Sequence, residues 1–150
     1  MHKLNLPEYD FSIRNGQNVI EIFDGIRKKY VALTPEEWVR QNFIRYLIEE
    51  RDYPKSLMAI EKELIVNKLK KRCDIVVYNR QLIPILIVEC KAFNVKINQQ
   101  AFDQAARYNL SLNVKNLIIT NGLSHYCCLI EENKEAYTFI KDIPNFKDIS

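Results

Sequence analysis

Glycine is scarce in this chain: only three occur in 150 residues. A phosphate-binding P-loop needs two glycines at a fixed spacing, followed by lysine and then serine or threonine, and no segment has that pattern. This absence excludes an ATP-driven motor of the P-loop class within these residues.

Long apolar runs are also missing. No stretch approaches the roughly 20 apolar residues needed to span a bilayer, and residues 1–10 lack the apolar core of a signal peptide. We therefore expect a cytoplasmic protein without a membrane partner.

Cysteine is present, but not at the spacing of a zinc site. No two of the four cysteines have the two-residue gap of a zinc knuckle, and two adjacent cysteines should point to opposite faces of a strand. All four lie in apolar segments, so we expect reduced side chains that pack as small hydrophobes. They are Cys73, Cys90, Cys127 and Cys128.

The composition is that of a soluble globular protein, with 47% hydrophobic and 27% charged residues. The length suits one domain, 1–150, which we divide into an N-terminal hairpin extension, 1–33, and a core, 34–150. The net charge of +3 is compatible with nucleic acid without requiring it. Two basic clusters, 27–29 and 68–72, are expected to be solvated turns.

The sequence of the extension predicts a hairpin of strands 19–23 and 30–33 around Gly25. A helix is predicted to follow from Thr34 to about Glu50. The apolar stripe of this helix consists of Val39, Phe43, Ile44, Leu47 and Ile48.

Two glutamates lie in the first turn of that helix. Glu37 comes three residues after the N-cap Thr34 and should complete a capping box. Glu36 falls near the middle of the apolar stripe on a 3.6-residue wheel. We therefore expect Glu36 to face the core and Glu37 to cap the helix.

The central element is a buried strand that ends in charge. Residues 83–88 are aliphatic apart from Pro84, as in a strand covered on both faces. Glu89 and Lys91 follow, and strand alternation puts both on one face and Cys90 on the other. Ionised groups at the edge of an apolar layer are costly unless they are paired or bind a metal.

A second buried strand, 73–78, precedes the central one and should form a hairpin with it. If the turn is centred near residues 81–82, Asp74 lies opposite Glu89, whereas a slip of one residue moves it to the other face. Segment 57–66 is ambiguous and could be a third strand.

The rest of the chain predicts a helix, 98–109, that carries Gln104 and Tyr108 on one face beside small alanines. The order of elements indicates an α/β sandwich with a central mixed sheet flanked by helices. The segments after the helix are two strands, a polar turn and a last strand: 116–120, 125–130, 131–135 and 136–140.

Asp74, Glu89 and Lys91 together suit metal-dependent hydrolysis of phosphodiesters. Two carboxylates on adjacent strands, with the backbone carbonyl of Cys90, offer hard oxygen ligands to Mg²⁺. The lysine would orient or deprotonate the attacking water and offset charge on the phosphate. The alternative is an exposed ion pair at a strand end, because Glu-x-Lys is common by chance.

Four segments resemble, in order and spacing, the PD-(D/E)xK nuclease superfamily: 72–78, 88–92, 104–109 and 120–122. More closely, the chain from about Val31 to Cys128 resembles the N-terminal nuclease domain of type I restriction enzyme R subunits and their small stand-alone relatives. Segment 34–41 is similar to the opening helix, whose acid supports the metal site. The resemblance implies a restriction-endonuclease-like fold; Cys73 stands where the signature usually has proline.

By that resemblance, Asp74 and Glu89 are metal ligands and Lys91 is the catalytic lysine. Gln104 and Tyr108 match the Gln-x-x-x-Tyr motif that follows the active site, and we favour Glu36 as the helix acid. The implied cofactor is Mg²⁺, which Mn²⁺ can replace. The implied partners are DNA and separate motor or specificity subunits, and a dimer is one option for the assembly.

Two functions therefore stay open. The first is an Mg²⁺-dependent deoxyribonuclease in restriction or DNA processing. The second is a catalytically weak DNA-binding or regulatory module of a restriction-type complex. The two carboxylates favour the enzyme, because a pure binding domain has no need of negative charges that face the anionic DNA backbone.

Overall fold

The computed structural model describes residues 1–131 and 137–150. Apart from Glu131, the predicted turn 131–135 lies outside the described residues, as does the first residue of the predicted strand 136–140. The described chain contains two sheets and three α-helices. None of its helices is long and apolar enough to cross a membrane.

The N-terminal extension is a small antiparallel sheet of β1 (Ile13–Asn15), β2 (Ile20–Asp24) and β3 (Lys29–Ala32). The last two strands are the predicted hairpin, but β1 is an addition to it. Its three residues are all exposed, so the sequence carries no apolar alternation there. Asp24 closes the turn of the hairpin, because its Oδ1 accepts hydrogen bonds from the amides of Ile26 and Arg27 at 2.8 and 2.9 Å.

Helix α1 (Pro35–Arg51) begins at the predicted cap, where Thr34 Oγ1 accepts a hydrogen bond from the Glu37 amide at 3.1 Å. The helix ends at Asp52, which adopts the left-handed conformation with φ 58°. The predicted apolar stripe faces the core, and Val39, Phe43 and Leu47 are fully buried in it.

The main sheet has six strands that lie side by side in chain order. The β6–β7 pair is parallel, and the other four pairs are antiparallel, so the sheet is mixed. Helix α2 (Gln99–Ser111) makes the crossover between the parallel strands. The strands are β4 (Met58–Val66), β5 (Leu69–Tyr78), β6 (Pro84–Cys90), β7 (Asn116–Thr120), β8 (His125–Ile130) and β9 (Tyr137–Ile140).

Residues 58–66 of the ambiguous segment 57–66 thus form the strand β4, and Leu57 ends a 3-10 turn before it. The basic cluster 68–72, in contrast, is mostly not the turn that we expect from its charge. Only Asn67 and Lys68 form the turn, with φ of 50° and 69°, and β5 begins at Leu69. Two-residue hairpin turns with positive φ are usually marked by glycine. A lysine in that position hid the turn inside the charged run.

The two faces of the main sheet are covered by different helices. On one face, Phe43 and Leu47 of α1 pack with Val77 and Val88. On the other face, Phe102 of α2 packs in a separate cluster, with side chains of β7 and β8 that include Leu117, Ile119 and Cys128. A short helix, α3 (Phe146–Ile149), closes the chain on the α1 side. The α/β sandwich with a central mixed sheet is therefore confirmed.

Two adjacent cysteines lie on opposite faces of the main sheet. Cys127 belongs to the α1 face and Cys128 to the α2 face, as strand alternation predicts. Both are buried, as are Cys73 and Cys90.

The register of β5 and β6 is the one that places the two predicted carboxylates opposite each other. The ladder ends with Ile75 paired to Val88, and extending its register by one residue brings Asp74 opposite Glu89. The prediction of a turn centred near residues 81–82 is confirmed, and Leu82 in that turn has a positive φ of 61°.

Candidate active site

Four of the predicted residues line one small cleft between the main sheet and α2, with a volume of about 120 Å³. Glu89 is the penultimate residue of β6 and Lys91 follows the strand directly. Gln104 and Tyr108 reach the cleft from successive turns of α2, above small alanines. The periodicities of strand and helix account for this placement.

The backbone around Lys91 is fixed by segment 120–122. The Lys91 amide donates to the carbonyl of Thr120 at 2.8 Å. The side-chain amide of Asn121 donates to the carbonyl of Val95 at 2.9 Å, in the loop that follows Lys91. Gly122 has a positive φ of 84°, which permits the tight turn. Segment 120–122 therefore positions the chain on both sides of the lysine.

Asp74 is held from two directions. Its Oδ2 accepts a hydrogen bond from the backbone amide of Cys90 at 2.7 Å, and its Oδ1 accepts one from a guanidinium NH₂ of Arg40 at 3.2 Å. The first contact ties it to β6 beside Glu89, and the second ties it to α1. That the carbonyl of Cys90 is a metal ligand stays a prediction.

Arg40 and Arg27 are the centres of a partly buried set of ion pairs, which we call the arginine network. Arg27 comes from the turn between β2 and β3, and Arg40 comes from α1. Arg40 is 4% exposed, so its guanidinium is shielded from water, whereas its partners Glu36 and Glu61 are partly exposed. The carboxylates of the network are Asp24, Glu36, Glu37, Glu61 and Asp74.

The two glutamates of the first helical turn are oriented the opposite way from our expectation. Glu37 is buried, and its carboxylate lies 2.9 Å from the guanidinium of Arg27 and 3.0 Å from the side-chain amide of Gln41. It therefore does not complete a capping box. The side chain of Glu36 is 48% exposed and pairs with Arg40 at 3.1 Å. The helical wheel shows only which side of α1 is apolar. The N-terminal sheet brings Arg27 to the flank of α1 where Glu37 lies, and this ion pair explains why Glu37 is buried.

Burial raises the pKa of both central carboxyl groups. For Asp74, the hydrogen bond from the Cys90 amide and the charge of Arg40 oppose this rise without cancelling it. For Glu89, the ammonium of Lys71 at 3.3 Å opposes it, while the nearby charge of Asp74 adds to it. The negative charge of Asp74 therefore acts on Glu89, as expected for neighbouring groups in one site.

These residues fit a divalent cation of the Mg²⁺ type. Within the described ranges, no group of three or more His, Cys, Asp and Glu side chains is arranged to hold a metal. Mg²⁺ is nevertheless commonly bound through one or two carboxylates, with water and phosphate as the remaining ligands. Asp74 and Glu89 supply two such carboxylates on adjacent strands, and a cation would stabilise the ionised forms that burial disfavours.

Sequence reasoning missed two residues at this site, Lys71 and Arg40. Lys71 was hidden in a cluster that we expect to be a turn, yet its Nζ lies 4.8 Å from the centre of the Tyr108 ring. Arg40 gave a clearer signal, because an arginine four residues after Glu36 falls inside the apolar stripe of the predicted helix. A charge in such a stripe needs a buried partner, and Asp74 is one.

Comparisons with known proteins identify the family of the chain and a similar fold. Residues 35–144 match the family described as type I restriction enzyme R protein N terminus (HSDR_N). A search of curated proteins finds no match. The fold is similar to that of a fragment described as an HsdR subunit of a type I restriction enzyme from Vibrio vulnificus YJ016, with a TM-score of 0.56 and 18% identity. That similarity covers 78% of this chain and 24% of that chain. Since the family match spans well over half of the sequence, the chain belongs to the family of the type I restriction enzyme R protein N terminus.

Proposed function

We propose that this chain is a metal-dependent nuclease of the PD-(D/E)xK type, which hydrolyses DNA phosphodiester bonds in restriction or DNA processing. One observation carries the proposal: Glu89, Lys91, Gln104 and Tyr108 line a single cleft, and Asp74 is held on the adjacent strand opposite Glu89. Family membership supports a role connected with restriction.

Each residue has a task that follows from its place. Asp74 and Glu89, with the carbonyl of Cys90, would hold Mg²⁺, and the ion would supply Lewis-acid activation of the water and phosphate. Lys91 orients the attacking water and offsets the negative charge that builds on the phosphate. Gln104 and Tyr108 offer amide and hydroxyl donors to the DNA backbone from the other wall of the cleft.

Glu36 joins this machinery indirectly. Its carboxylate and that of Asp74 share the same guanidinium of Arg40, at 3.1 and 3.2 Å. Glu36 therefore acts on the orientation of Asp74 through Arg40, as a positioning residue. The same holds for the buried Glu37, which contacts the other NH of that guanidinium at 3.2 Å.

A second function, a DNA-binding or regulatory module with little catalysis, is favoured by a specific feature. Each central carboxylate already has a protein cation beside it, Arg40 for Asp74 and Lys71 for Glu89. A site whose charges are balanced in this way has less need of a metal. Separate motor or specificity subunits would then supply the remaining activities of the complex.

The two functions are separated by incubating the purified chain with supercoiled, linear and single-stranded DNA, with Mg²⁺ or Mn²⁺ and with EDTA. The nuclease predicts cleavage of at least one DNA form that EDTA abolishes. It also predicts loss of cleavage in Glu89→Gln, which keeps the shape of the side chain but not its charge. Glu63→Gln, at an exposed glutamate of β4, is the matched control and should cleave normally. Binding of DNA without metal-dependent cleavage would favour the second function.

A further inference from the structure

Lys71 is a second lysine in the candidate cleft, and the sequence motifs do not account for it. It lies in β5, three residues before Asp74. Strand alternation puts Lys71 on the same side as Leu69, facing α2, while Lys70 and Arg72 are exposed on the other side. The side chain of Lys71 is therefore directed into the cleft, unlike its charged neighbours.

The contacts of Lys71 are with residues already assigned to the cleft. Its Nζ lies 3.3 Å from Oε1 of Glu89 and 4.8 Å from the centre of the Tyr108 ring. The lysine side chain is 25% exposed and that of Glu89 is 14% exposed. Lys71 is thus largely covered, but it still has access to solvent and to a ligand in the cleft.

The charges of the lining residues favour an anionic ligand. Lys71 approaches the cleft from β5 and Lys91 approaches it from the end of β6, whereas Glu89 is the one acid that lines it among the residues that the structure describes. A larger adjacent cleft, of about 500 Å³, shares Gln104 and Tyr108 and adds Arg107 from α2. Because they share these residues, the two clefts lie side by side along α2, and we call them together the polar track; its cationic side chains are Lys71, Lys91 and Arg107.

We propose that Lys71 is a second substrate-contacting lysine, which binds a backbone phosphate of the DNA strand that lies in this track. This inference rests on the proposed function, because it takes DNA as the ligand of the cleft. Binding exchanges one charge-assisted contact of the ammonium, with Glu89, for another, with phosphate. The exchange leaves Oε1 of Glu89 free at the moment when the substrate arrives.

The test is the salt dependence of DNA binding, measured by fluorescence anisotropy with labelled single- and double-stranded oligonucleotides in EDTA over a series of KCl concentrations. Each phosphate contact contributes about 0.7–0.9 to the slope of log affinity against log salt. Lys71→Ala and Lys71→Gln should each lower that slope by about this amount, and Lys71→Arg should retain it. Lys115 is exposed and directly precedes the first residue of β7, so Lys115→Ala should leave the salt slope unchanged.

A purely structural ion pair with Glu89 would give a different pattern. Lys71→Ala and Lys71→Gln would then melt at a lower temperature but keep the wild-type slope, and that result would overturn the inference. If the same wild-type preparation cleaves DNA once Mg²⁺ replaces EDTA, the proposed function stands without this inference. If the wild-type chain neither binds nor cleaves DNA, both fail together.

Discussion

Asp74 still has room for a further ligand although it has two protein partners. Each carboxylate oxygen carries two lone pairs, and the Cys90 amide and the Arg40 guanidinium each use one of them. The remaining lone pairs are available to a cation that also contacts Glu89. The role proposed for Asp74 therefore requires that a metal bind to this pair of acids.

Metal binding should be visible as a change in thermal stability. A ligand that binds only the folded state, at about a hundred times its dissociation constant, stabilises it by about 2.7 kcal/mol. For a chain of this size that corresponds to a rise in Tm of roughly 5–10 °C with saturating Mg²⁺ or Mn²⁺. Asp74→Asn should lose the rise, and Glu63→Gln should keep it. An undiminished rise in Asp74→Asn would remove Asp74 from the metal site.

The arginine network joins the N-terminal sheet to α1 and β5, so its energetic effects belong to elements rather than to one residue. Arg27 lies 2.6 Å from Asp24 in its own hairpin and 2.9 Å from Glu37 in α1. Arg40 in turn pairs with both Glu37 and Asp74, and Asp74 lies in β5. The N-terminal sheet is therefore linked to the candidate site by a chain of ion pairs.

The first consequence concerns the two glutamates of α1. Glu37→Gln removes a buried charge shared by two arginines, and breaking such a pair from one side costs roughly 3–5 kcal/mol of unfolding free energy. Glu36→Gln should cost at most about 1 kcal/mol, because its side chain is half exposed. Urea denaturation of both variants measures the difference. Equal costs would mean that the buried network contributes little to stability.

The second consequence concerns pH. Burial by itself would raise the pKa of Asp24, but hydrogen bonds from Arg27, Gln41 and the Ile26 amide outweigh it and lower the pKa below the ordinary value of 3.8. A carboxyl group whose pKa is lowered by folding stabilises the protein above its unfolded pKa, and that contribution is lost as the pH falls through the lower, folded value.

The stability advantage of the wild type over Asp24→Asn should therefore be full at about pH 6 and should shrink below about pH 4. Urea denaturation of the two proteins at a series of pH values measures this gap. A gap that stays constant into the acid range, or that grows there, would contradict the assigned role of Asp24.

These elements also show what the sequence could predict. The helices, the central strand and the β5–β6 register follow from apolar periodicity and from a short link, because each depends on neighbours close in the chain. The orientation of Glu37 depends on Arg27 in a separate sheet, and a helical wheel contains no such contact. The turn at Asn67 and Lys68 was hidden for a local reason, since lysine rarely adopts positive φ.

At the scale of the whole molecule, the candidate residues collect at one end of the parallel strand pair. Glu89 and Lys91 lie at the carboxyl end of β6, and segment 120–122 lies at the carboxyl end of β7. Ligands of α/β sheets commonly bind outside the carboxyl ends of parallel strands. Helix α2, which connects the pair, then supplies the opposite wall of the cleft.

Substitution of Lys91 tests most directly whether this cleft cleaves DNA. Lys91→Ala removes the group that we propose to orient the water and offset charge, but leaves both carboxylates and the other cationic side chains in place. Cleavage should fall by at least about a hundredfold, the scale for loss of a preorganised electrostatic donor. DNA affinity should change only slightly, because one of several phosphate contacts is lost. Lys91→Arg should not restore cleavage, since a planar and permanently charged guanidinium cannot act as a base.

The deciding measurement is the rate of metal-dependent DNA cleavage by the purified wild-type chain beside Lys91→Ala, with binding measured on the same preparations. We expect cleavage by the wild type, its loss in the variant, and nearly equal binding by both. No metal-dependent cleavage by the wild type on any DNA form, or equal cleavage by the two proteins, would contradict this expectation.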